Sequence, residues 1–192
     1  MAADLETPSP QVHEAAKRVL AFWFEELDPN QHWTKSATLD QAIEQRFSGI
    51  RNRLIETVAN GWRATPETLL AAVIAIDQFS RNIHRDDAQA FAGDGIAREL
   101  TLFGIVRGDD LTMAPNERVF LYMPLMHAED MALQRLSLKK FEELGIEEQI
   151  GYARGHAEVI DRFGRFPSRN RLLGRRSTVL EKEYLSQPGA GW

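Results

Sequence analysis

Apolar positions recur at helical spacing along most of this chain. Val12, Ala15 and Ala16, Val19 and Leu20, Trp23 and Phe24, and Leu27 trace one helical stripe from Pro10, which Asp28-Pro29 ends. Thr38 with Gln41 forms a capping box for a second helix through Phe47, Ile50, Leu54 and Val58, with a stop at Asn60-Gly61. The third segment, Thr65 to Arg85, differs in kind. Thr65 can cap it and Pro66 suits its first position, but Leu69 to Ile76 is apolar on every face. A helix with no polar side must be enclosed by others, so the pattern predicts a central core helix here.

Asp86 and Asp87 can start a fourth helix, from Ala88 to Arg107, with a soft point at Gly93-Asp94-Gly95 and a stop at Gly108. Pro115 opens a long helical pattern from Asn116 towards Leu144, interrupted by Pro124, where a kink or unpaired carbonyls are expected. Glu147 to Phe163 is the next helix, stopped by Gly164, and Thr178 with Glu181 caps a short last one. No segment alternates with the period of a strand, and no repeat of about 34 residues is visible. The prediction is all-α, seven or eight helices in one domain over residues 10–187. Residues 1–9 read as a disordered lead-in and 188–192 as a loose tail.

Composition narrows the function classes. The chain of 192 residues carries a net charge of −5, which argues against general nucleic-acid binding. There is no cysteine, which excludes disulfides, thiolate metal sites and cysteine nucleophiles and fits a reducing cytoplasm. The opening MAADLETPSP has neither the basic nor the apolar region of a signal peptide, and no apolar run reaches the roughly 20 residues of a membrane span.

Three polar clusters interrupt the apolar pattern. The first ends the core helix with Asp77, Arg81, Asn82, His84 and Arg85. Asp77 and Arg81, four apart, suit an ion pair that fixes the helix end, while Arg81 and Arg85 also offer forked donors to an anion. The second is FLYMPLMHAED, residues 120–130, where His127, Glu129 and Asp130 provide acid/base groups or a simple His–Asp pair at i,i+3. Its spacing matches no metal-ligand signature. The third, residues 156–178, holds His156 and then Arg162, Arg165, Arg169, Asn170, Arg171, Arg175 and Arg176 among Phe163, Phe166, Leu172 and Leu173. The interleaved apolar residues pin this stretch down, leaving arginines to meet carboxylates of the chain or an anionic ligand. The free amides near Ser177 and Thr178 add an anion-binding helix start. No phosphate-cradling glycine loop, nucleophile elbow or zinc-binding helix is present.

Together FWF (22–24), IDQFSRNIHR (76–85), FLYMPLMHAED (120–130) and RFGRFPSRNRLLGRRST (162–178) make the chain resemble the bacterial domain-of-unknown-function family 924. The resemblance spans nearly the whole chain and implies a tetratricopeptide-like, all-helical fold. It implies no activity. Ser80, Ala128 and Ser168 depart from the family pattern, which has proline, serine and histidine there.

The functional expectation is an arginine-lined pocket for a small phosphorylated or carboxylated anion, without a cofactor or metal. Asp77, Arg81, Asn82, Arg85, Arg165, Arg169, Asn170 and Arg175 would bind it, with His127, Glu129, Asp130 and His156 as candidate proton carriers. An enzyme of this kind needs the three clusters to converge. The alternatives are a non-catalytic module whose groove takes a peptide partner, using exposed Trp23, Trp33 or Trp62, and a purely structural network. Exposed aromatics could also serve a homodimer.

Overall fold

The computed structural model describes residues 8–191, so the lead-in at residues 1–7 and the final Trp192 lie outside the described residues. Every regular element among them is helical: α1 (Pro10–Ala21), α2 (Ala37–Glu56), α3 (Pro66–Ile83), α4 (Asp94–Arg107), α5 (Pro115–Met126), α6 (Met131–Leu144), α7 (Glu147–Phe163) and α8 (Val179–Leu185). Short 3-10 turns and one π turn, Phe22–Glu26, join them. The backbone forms two compact units. One runs to Arg85 and includes Gln89–Pro124; the other holds Asp86–Ala88 and the chain from Leu125 onward.

In the first unit α3 is the central helix, as its all-round apolar sequence demands. Leu69 through Asp77 are all buried, and α1, α2 and α4 each pack against it. Thr65 caps it by accepting the Thr68 N–H, and Pro66 holds the first position. Each fully buried Leu or Ile contributes about 1.5–3 kcal/mol, so this helix carries a large share of the unit's stability. The second unit is organised on the hairpin of α6 and α7, with a small apolar core of Val159, Ile160 and Phe166.

Four boundaries differ from the sequence pattern, each for a local reason. Ser36, not Thr38, caps α2, accepting the Leu39 N–H at 3.3 Å. That helix also ends earlier, at Glu56. Val58 and Ala59 turn left-handed, and Arg63 takes up their carbonyls at 3.1 and 3.3 Å. The fourth helix starts only at Asp94. The chain crosses α3 so closely at Gly93 that a Cβ there would collide with Ile76, so the approach needs glycine and a turn. The long pattern after Pro115 splits, but not at Pro124. The helix continues through the proline to Met126 and then breaks, because Asp130 caps a new helix through the Leu133 N–H at 3.0 Å. Beside the proline, the Leu121 carbonyl accepts the Thr101 hydroxyl at 2.8 Å.

Candidate functional site

The first polar cluster closes on partners within the first unit. Arg81 reaches Asp77 at 2.9 Å and Asp94 at 3.1 Å, and it also donates to the Asp77 carbonyl. Burial disfavours its cation, yet Asp77 and Asp94 together hold its pKa above the usual arginine range. Arg85 donates two bonds of 2.7 Å to Asp40, and Asn82 adds a third at 2.8 Å. Partial burial works against the Asp40 carboxylate, but Arg85 and Asn82 outweigh it and lower its pKa. Ser80 accepts a hydrogen bond from the buried Arg51 Nε at 2.9 Å.

The second and third clusters meet in the second unit. Glu129 accepts Arg175 at 2.6 and 2.9 Å and the Phe166 N–H at 2.8 Å. Burial raises its pKa, while Arg175 and the Phe166 N–H pull it below the usual value and win. Arg169 donates to the His127 carbonyl at 3.0 Å and lies 4.5 Å over the Phe166 ring. His156 is buried, pairs its Nδ1 with the Tyr152 carbonyl at 2.8 Å, and places its ring 6.1 Å from that of His127. A donor on Nδ1 leaves Nε2 as the basic nitrogen of the neutral ring. Asp130 caps α6, its Oδ1 accepting the Leu133 N–H at 3.0 Å.

Glu181 is the other anchor of this unit. Arg165 grips it at 2.7 and 2.9 Å, the Thr178 N–H at 2.7 Å and Asn170 at 3.3 Å. Arg165 and then the Thr178 N–H hold its pKa at about 2, against the opposing effect of burial. The amides read from sequence as an anion-binding helix start are thus filled from within, by the carboxylate of the capping box itself.

Arg81, Arg85, Arg165 and Arg175 therefore all face carboxylates of the chain, and Arg169 faces a carbonyl. A different part of the first unit has arginines of another kind. Between α1 and α2 lies an open groove of about 720 Å³, within the size range of small-molecule sites. Its walls are Gln11, Val12, Ala15 and Arg18 from α1 and Gln45, Arg46, Gly49, Ile50, Arg53 and Leu54 from α2, with Trp62 beside them. Positions 11, 15 and 18 fall on one face of α1, and 46, 49, 50 and 53 on one face of α2. The groove exists because both helices rest on α3 and glycine stands at position 49, where an added Cβ would meet nothing within 4 Å.

Arg46 is committed, with two bonds of 2.6 and 2.8 Å to Glu26 and its guanidinium 4.5 Å over Phe22. Arg18 and Arg53 are exposed, and their guanidinium groups have no ion pair or hydrogen bond among the described residues. The sequence reading missed both. Its signal was there, in arginines seven apart on α2 with a glycine between them, but an exposed arginine on an amphipathic helix looks ordinary. Of the tryptophans named for an open groove, Trp62 borders it at 7% exposure, Trp23 is buried at 1% and Trp33 is exposed at 48%, stacked on Phe120. Among the described residues no three acidic or histidine side chains are placed to hold a metal ion, and no helix is long and apolar enough to cross a membrane.

Arginine–carboxylate networks in both units, with an arginine-bearing groove in the first, define the chain as an all-helical protein. The family described as bacterial protein of unknown function, DUF924, matches residues 19–189, and this chain belongs to it. It is similar to a solved structure of a protein of unknown function from Agrobacterium tumefaciens. The two are 33% identical, with a TM-score of 0.87 over 91% of this chain and 98% of that one. No curated protein matches the chain.

Proposed function

We propose that this protein binds a small anionic molecule, carboxylated or phosphorylated, in the groove between α1 and α2. The observation that supports this reading is the pair Arg18 and Arg53, two guanidinium groups without carboxylate partners among the described residues, on the walls of an open groove in a chain of net charge −5. An arginine already paired must give up its carboxylate to bind a ligand, whereas these two gain hydrogen bonds and lose only water. Arginine forks match both carboxylate and phosphate oxygens, so the anion's charge is recognised before its identity.

Among the described residues the groove is lined by no acid/base group, and His127 and His156, the candidate proton carriers, belong to the other unit. Binding rather than chemistry is the activity this groove supports. A thermal-shift panel of carboxylates, phosphate esters and nucleotides tests it. A ligand at 100 times its Kd adds about 2.7 kcal/mol, equivalent to a rise of roughly 5–11 °C for a chain of this size. That rise should fall to about half or less in Arg18→Met and in Arg53→Met, and persist in Arg165→Met. A panel without any anion-dependent rise refutes the proposal.

A further inference from the structure

Resting on that reading, we infer that the ligand is amphipathic: an anionic head held by Arg18 and Arg53, carrying an apolar body that lies along the groove. The walls divide by chemistry in a way a site for a fully hydrated anion would not. Val12, Ala15, Ile50, Leu54 and Trp62 form its apolar lining, with Leu54 and Trp62 themselves buried. Gln11, Gln45 and the arginines hold the exposed rim. A compact anion such as orthophosphate would use the rim and leave the lining wet. An apolar body would cover that lining and gain the burial free energy of each methylene.

Gly49 marks where the body would lie. It is an exposed position in the middle of α2, its backbone is helical, and nothing fills the space its side chain would take. A glycine here costs helix stability and leaves the groove open at its midpoint between Arg46 and Arg53. Those two arginines are seven residues apart, about 10 Å along the axis at 1.5 Å per residue, which is room for a short acyl chain or a single ring.

The test is calorimetric titration of the full chain with acetate, butanoate, hexanoate and octanoate, with 1-octanol as the neutral control, on the parent protein and on Gly49→Leu. The parent should bind more tightly by about fourfold per added methylene until the groove is full. Gly49→Leu, whose Cβ meets no atom of the fold within 4 Å, should be at least as stable as the parent through helix propensity and lose the chain-length dependence. Equal affinity for acetate and octanoate would overturn the amphipathic inference and leave the anion site standing. Octanol binding as tightly as octanoate would overturn the anion site and this inference with it, as would no binding by any member of the series.

Discussion

In the second unit Arg165 and Arg175 each close on a glutamate, and Arg169 on a carbonyl over an aromatic ring; in the α1–α2 groove Arg18 and Arg53 close on nothing among the described residues. The sequence distinguishes them poorly, since the first set lies in a dense arginine run and the second is scattered along two ordinary helices. What separates them is supply of partners. Glu129 and Glu181 are positioned by a helix break and a capping box to receive Arg175 and Arg165 of the 162–178 stretch. Dense charge between aromatic residues here acts as an internal fastener, and the isolated cations of the groove are those to which the proposal gives a ligand.

The comparison predicts opposite phenotypes. The largest effect should come from breaking a fastener. Glu129→Ala leaves Arg175 without its carboxylate and the Phe166 N–H without its acceptor, at a cost of about 2–4 kcal/mol, since the pair is only partly buried. Urea unfolding checks this, and the double variant Glu129→Met/Arg175→Met should recover part of the loss, because an uncompensated charge costs more than an absent pair. Arg18→Met and Arg53→Met should instead weaken anion binding by about 10–100-fold each, from the loss of a charge-assisted hydrogen bond, while stability changes by no more than about 0.5 kcal/mol.

A pH titration sharpens the same contrast. Glu181 has a pKa of about 2 in the fold against 4.5 as a free side chain, so its stabilisation is complete above pH 4.5 and is lost as the pH falls towards 2. Glu129 and Asp40, both lowered, act in the same direction. Stability should therefore decline on the acid side below about 4.5, and Arg165→Met should make that decline shallower, measured by chemical unfolding at each pH. The smallest effect belongs to Gly49→Ala, which should raise stability by about 0.5–1 kcal/mol through helix propensity alone, because its Cβ meets no neighbour.

Much of the fold was legible because helical periodicity and caps are local signals. The apolar run of α3, the Thr65 cap, the Thr178 capping box and the glycine stop at 164 all appear where the pattern put them. The breaks at Gly93 and after Met126 were less legible. One depends on how near the chain passes Ile76, and the other on Asp130 capping a new helix. The Asp77–Arg81 pair could be read from its i,i+4 spacing. Arg85 with Asp40, and Arg175 with Glu129, could not, because those partners lie 45 and 46 residues away and are joined only by folding. The groove was the least legible feature. It arises from how two helices rest on a third, and its arginines stand out only by the partners they lack among the described residues.

The most direct measurement is calorimetric titration, below the melting point of each protein, of the best anion from the ligand panel into the parent, Arg18→Met/Arg53→Met and Arg175→Met. The account predicts that the groove variant is folded and does not bind, while Arg175→Met is less stable and binds like the parent. Binding that survives in the groove variant and disappears in folded Arg175→Met would contradict it, and would return the ligand site to the arginines of the second unit.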